Sequence, residues 1–168
     1  MAVLEIKKYP SMVLKERAIS VKRIEESHQK LIEDMIETMH AAPGIGLAAP
    51  QVGVSERIIV IDLREDGKPS PIALINPEII SHGEEFIEAE EGCLSLPGFI
   101  ALIKRFESVV VKGLDREGKE QIISAGGLLS RALQHEIDHL DGTLILDRAN
   151  FLKREFYKKK LKKEALRG

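Results

Sequence analysis

The sequence predicts an α+β fold, with antiparallel β-sheets packed around a central HExxH helix and framed by an N-terminal and a C-terminal helix. Three observations predict it. Apolar residues recur at three- and four-residue spacing in two well-separated segments. Short β-branched runs bounded by Gly, Pro and Asp lie between those segments. Close behind the last run stands His135-Glu136-Ile137-Asp138-His139. Its two histidines, four residues apart, lie on one face of a helix.

The elements follow in chain order. From Ile24 to Met39 the residues Leu31, Ile32, Met35, Ile36 and Met39 make one apolar face, and Pro43-Gly44 ends that helix. Gly44-Ile45-Gly46-Leu47-Ala48-Ala49 matches a dinucleotide-binding G-x-G-x-x-A string, but the context is wrong. A helix precedes it, and Pro50-Gln51 interrupts the helix that should follow. It is read as a loop whose glycines allow close backbone approach. Arg57–Leu63 and Ile72–Ile75 read as strands, the second ending before Pro77, and Phe86–Glu91 as another. Ser108–Leu114 and Gln121–Ser124 flank Asp115-Arg116-Glu117-Gly118 as a hairpin. The HExxH helix stops at Asp141-Gly142. A last helix from about Phe151 to Ala165, within a basic region at 148–168, is expected to bury Leu152, Phe156, Leu161 and Ala165.

Composition bounds the function. A chain of 168 residues, 43% hydrophobic and 31% charged, fits one domain over 1–168. Its net charge of -2 gives no overall field toward DNA or a membrane surface, and aromatics at 4% leave little to stack on single strands. No stretch resembles a secretory signal or a membrane span, so a cytoplasmic location is expected. The one cysteine, Cys93, excludes an internal disulfide. Charge is uneven: Lys153 to Gly168 holds eight Lys/Arg against two Asp/Glu.

In H-E-x-x-H the histidines can share a divalent ion, and Glu136 can reach a water beside it. Such a string arises by chance in about 2% of chains of this composition, so it needs support. The third ligand separates the enzyme classes. A third histidine, as in one protease class, is missing, because Ile145 holds its place. Where a downstream Glu serves instead, Glu155 and Glu164 are available by distance, but both lie on the basic terminal helix. Cys93, beside Glu88, Glu90 and Glu91, is favoured, although a carboxylate would also serve. His28, His40 and His82 have no partner at ligand spacing and read as surface or packed residues.

Three segments in order resemble bacterial peptide deformylase: Gly44-Ile45-Gly46-Leu47-Ala48-Ala49-Pro50-Gln51, Glu91-Gly92-Cys93-Leu94-Ser95 and Gln134-His135-Glu136-Ile137-Asp138-His139. The resemblance covers nearly the whole chain. It implies a metal-dependent hydrolase that removes the formyl group from nascent chains beginning with N-formylmethionine. Cys93, His135 and His139 would hold one divalent ion, usually ferrous iron, with zinc, nickel or cobalt able to occupy the site. Glu136 would be general base and acid. Gln51 and the Leu94 backbone N–H would stabilise the oxyanion. Gly46 would hold substrate backbone, and Ile45, Ala89, Leu128, Arg131 and Ala132 would form the methionine pocket. Some members carry Arg or Tyr near the place of Ile100, which makes no polar contact. Arg105 is expected to pair with Glu91 and brace the cysteine loop. The basic C-terminal helix implies ribosome contact, since phosphate attraction needs only accumulated Lys and Arg. The competing readings are a general HExxH zinc peptidase and a non-catalytic metal- or ribosome-binding member of the fold.

Overall fold

The computed structural model describes residues 2–167. Met1 and Gly168, included in the expected domain and, for Gly168, the basic tail, lie outside them. Helix α1 spans Glu26–Ala41 and leads into a short strand β1, Gly46–Ala48. Strands β2 (Ile58–Ile61), β3 (Ile72–His82), β4 (Phe86–Cys93), β5 (Leu96–Phe106), β6 (Ser108–Leu114) and β7 (Glu120–Gly126) follow. Helix α2 is Gly127–Leu140, α3 a single turn at Ile145–Arg148, and α4 Phe151–Arg167. All the strand pairs are antiparallel: a five-stranded sheet in the order β1-β2-β3-β6-β7, and the separate β4–β5 hairpin.

The continuous apolar run of β2 has a direct cause. Ile59 and Ile61 pack with Leu74, Val111 and the α2 residues Leu133, Ile137 and Leu140. Ile58 and Val60 pack on the other side with Ile32, Met35 and Met39 of α1. A strand covered on both faces needs apolar residues at every position. A third cluster joins Leu96, Phe99, Ala101 and Ile103 of β5 to Leu144, Ile145 and Leu146. Helix α2 thus lies between the sheet and the hairpin. It is tied to the hairpin by Gln134, whose side chain accepts from Phe106 N–H (3.0 Å) and donates to Phe106 O (2.9 Å). Its stop is set by Gly142 at φ +76°, where a Cβ would also run into the Lys15 carbonyl.

Four expectations need correction. The glycine loop contains β1, which pairs Gly46 with Ile61 and Ala48 with Ile59. Strand β3 runs past Pro77, because Asn76 at φ +53° and a register shift between Ile75 and Glu78 absorb the proline. The Asn76 side chain also accepts from Val21 N–H and donates to Val21 O, both at 2.8 Å, which fixes that backbone. Strand β5 was not expected: its inward residues include Arg105 and its outward ones Ile100 and Leu102, so no polar–apolar alternation marks it. Finally, α4 buries Tyr157 and half-buries Leu161, while Leu152 and Phe156 are 78% and 74% exposed and Ala165 is exposed too. Tyr157, the residue turned inward, lies about 100° around the helix from Phe156.

Candidate metal and active site

Cys93 ends β4, where the hairpin register slips between Gly92 and Cys93. His135 and His139 project from successive turns of α2, their ring centroids 5.1 Å apart. One donor atom from each of these three residues lies within 4.8 Å of the others, and Cys93 Sγ is 3.3 Å from His139 Nε2. Among the described residues this is the one group of three or more His, Cys, Asp or Glu so arranged.

The rings are oriented from behind. His135 Nδ1 donates to Glu91 Oε1 (3.0 Å), which leaves its other nitrogen for the site. Glu91 in turn accepts both Nε (3.0 Å) and Nη2 (2.9 Å) of Arg105, the expected pair, here buried and bidentate. Arg105 Nη1 reaches Asp138 Oδ2 at 2.6 Å, and Asp138 also accepts from Arg148. Burial works to raise the Glu91 carboxyl, but hydrogen bonds from His135 and Arg105 outweigh it and hold it down to about 2. Glu91 is therefore a fixed negative charge.

The donor set suits a cation. Burial opposes charge on His135, yet Glu136, Cys93 and Glu91 around it overcome that and raise its pKa to about 10. The pocket favours positive charge at this point, and an ion placed there competes with the proton. Burial, then the charges of His135 and Arg105, push His139 well below the ordinary imidazole value, so it offers a neutral ring. Three protein donors of Cys–His–His type leave a further coordination position open.

Glu136 follows His135 directly, and its Oε1 is buried without a hydrogen-bond partner. Burial, only partly offset by the charges of His135 and Arg105, pushes its carboxyl up to about 7, where it can take and return a proton near neutrality. Gly46 stands against it: a Cβ on Gly46 would overlap the Glu136 carboxylate. Gln51 sits in the short helical turn after β1. Its Oε1 accepts Ala48 N–H (3.0 Å), and its Nε2 faces Ser95 Oγ (3.1 Å) and Cys93 Sγ (3.6 Å).

These groups open on a cavity of about 610 Å³. Gln51, Cys93, Leu94, His135 and Glu136 line it, as do Ile45, Gly46, Leu128, Arg131 and Ala132. Ala89 does not: it pairs with Ile103 in the hairpin, away from the lining. Arg131 is held to the wall by Nη2 donating to Glu90 O (3.0 Å). His28 and His40 are occupied elsewhere, by Glu56 and Asp62, and His82 stacks on Phe106.

Sequence reasoning passed over Ser95, Asp138 and Arg148. Asp138 carried a usable signal, since it lies three residues beyond His135 and so near the same helix face. Ser95 carried none.

The family model described as "Polypeptide deformylase" matches residues 3–155. A peptide deformylase of Thermodesulfovibrio yellowstonii is 62% identical over 165 residues, covering 96% of this chain and 98% of its own. The crystal structure of a peptide deformylase from Legionella pneumophila superposes with a TM-score of 0.90 at 48% identity, covering 98% of this chain and 96% of that one. That of the Ehrlichia chaffeensis peptide deformylase, in complex with actinonin, gives 0.92 at 43% identity, covering 98% of each chain. The chain belongs to the polypeptide deformylase family, the metal-dependent hydrolases that remove the formyl group from N-formylmethionine.

Proposed function

We propose that residues 1–168 form one catalytic domain in which Cys93, His135 and His139 hold a ferrous ion, with zinc, nickel or cobalt able to replace it. The ion would supply a Lewis acid and a water of lowered pKa. Glu136 takes the proton of the attacking water on its unpaired carboxylate oxygen and returns it to the departing amine. Gln51 Nε2 and the Leu94 backbone N–H donate to the oxygen that becomes negative as the formyl carbon turns tetrahedral. One such donor is typically worth about 3–4 kcal/mol of barrier. Ser95 positions Gln51 for this by accepting its other N–H. Gly46 lets substrate backbone pass against Glu136, and Ile45, Leu128, Arg131 and Ala132 receive the methionine side chain. Ala89, expected in that pocket, pairs with Ile103 in the hairpin and is not part of the lining.

The observation that carries this reading is the meeting of the three donor atoms beside a buried carboxyl with an unpaired oxygen. Substrates are formylated nascent chains. For the basic α4 we propose contact with ribosomal RNA, and for the enzyme a cytoplasmic location. No helix among the described residues is long and apolar enough to cross a membrane. We further expect actinonin, present in the Ehrlichia chaffeensis relative, to bind this cavity.

The test is release of formate from formyl-Met-Ala-Ser by anaerobically purified protein, with its metal measured. Formate and an otherwise intact peptide are expected. Cleavage at internal peptide bonds, or bound metal without turnover, would overturn the reading.

A further inference from the structure

The active cavity continues past Ile100. A second hollow, of about 450 Å³, shares Gly98, Phe99 and Ile100 with it and is walled on its far side by Leu152 and Phe156 of α4. Both walls are fixed. Tyr157 Oη donates to Pro97 O (3.1 Å), and its ring tilts against Phe99 with centroids 5.0 Å apart. Lys153 Nζ donates to Ile100 O (3.0 Å). Between these ties Ile100, Leu152 and Phe156 remain 56%, 78% and 74% exposed. Lys153 and Lys160 edge the hollow. Neighbouring exposed apolar side chains of this size mark a binding surface rather than scattered surface residues.

We propose that this groove is an accessory site for the substrate polypeptide, taking an apolar side chain from the segment downstream of N-formylmethionine. The inference rests on the deformylase reading. Its occupant follows from continuity. A peptide whose first residue is seated in the cavity leaves through the mouth, and Ile100 is common to mouth and groove. An extended chain advances about 3.3 Å per residue, so later side chains come within reach of Leu152 and Phe156. Because the peptide is already tethered by its first residue, even a small apolar contact acts at high effective concentration. The same contact is made before and during reaction, so it lowers KM and leaves kcat alone. The two lysines favour neutral or acidic neighbours in the peptide over basic ones.

The experiment uses the metal-loaded enzyme and formylated peptides of equal length in an Ala/Ser background. A single Leu, Lys or Asp is walked along the positions after the second, with formyl-Met-Ala as the reference. At one or two positions Leu is expected to lower KM about fivefold relative to Lys. In Leu152→Ser/Phe156→Ser, with folding checked by circular dichroism, this gain falls below twofold relative to the same variant's formyl-Met-Ala rate. Equal KM at all positions, or a gain that survives in the double variant, overturns the proposal. So does a double variant that loses ribosome pelleting with its peptide KM profile unchanged, which assigns the surface to the ribosome. No formate from formyl-Met-Ala with wild type would instead sink the deformylase reading, and the groove with it.

Discussion

Of the helices beside the cavity and its adjoining groove, α2 hides polar side chains and α4 displays apolar ones. In α2, Ser130, Gln134, Glu136 and His139 are buried among Leu133, Ile137 and Leu140. In α4, Tyr157 is the one fully buried side chain among the described residues, while Phe151, Leu152 and Phe156 face water. Each departs from the usual distribution of residue types, in opposite directions. The departures are sustained differently. Most of the buried groups of α2 are paired: Gln134 clamps Phe106, and Asp138 and His135 join the Arg105–Glu91 network. Arg131 Nε, Glu136 Oε1 and His139 Nδ1 are the exceptions, and all three residues belong to the proposed active site. The apolar groups of α4 have no such compensation and need none while a ligand can cover them. Burying polarity serves chemistry here, and exposing apolar surface serves docking.

The contrast is most exposed to failure at Glu136. Glu136→Gln keeps the side chain's volume and removes its proton capacity. Turnover should fall by about 10²–10⁴-fold with metal content, read by mass spectrometry, unchanged. A rate within a few-fold of wild type would mean that the buried carboxyl does no chemistry.

Arg105→Met leaves Glu91 buried without its bidentate partner and should cost about 3–5 kcal/mol in urea unfolding. Lys162→Ala on the exposed side of α4 should stay within about 0.5 kcal/mol. Similar costs at the two positions would erase the difference between the helices.

Smaller effects sharpen the picture. Asn150 Oδ1 accepts Lys153 N–H at 2.9 Å and so caps α4. Asn150→Ala should cost about 1 kcal/mol in thermal unfolding, with formyl-Met-Ala turnover preserved. A buried acid outside both helices provides a pH reference. Burial acts to raise the Asp62 carboxyl, but hydrogen bonds from His40 and from the N–H groups of Ser70 and Arg64 hold it below the ordinary carboxylate value. Its contribution is full above that ordinary value and is lost as pH falls through the lower folded one. Thermal scans from neutral pH downward should therefore show a shallower acid loss for Asp62→Asn than for wild type. Parallel curves would remove Asp62 from the account.

Much of this was legible in the sequence, because local spacing carried it. The helical period gave α1, the HExxH string with its Asp141-Gly142 stop gave α2, and β-branched runs gave β2 and β6; two histidines at one-turn spacing marked the candidate site. Cys93 was favoured from its acidic neighbours and its place in one of three ordered motifs, but only folding brings it beside His139. What stayed hidden depended on partners distant in the chain. Strand β5 was obscured because Arg105 points inward to Glu91 and Asp138, whereas Ile100 and Leu102 point out. Leu152 and Phe156 looked like core because spacing states which residues share a face, not which face meets the body. Ala89 lies beside lining residues in the sequence, yet the cavity wall on β4 begins one residue later, at Glu90.

Cys93 and His139 stand 46 residues apart. With the proposed ligand set, no local segment of the chain supplies all three donors, and a nascent copy that has reached the thiol but not helix α2 offers only one sulfur. Loading must wait until hairpin and helix have docked. On that proposed set, ion uptake reports completed folding, and ion loss on heating should precede or accompany collapse of the helix–hairpin junction.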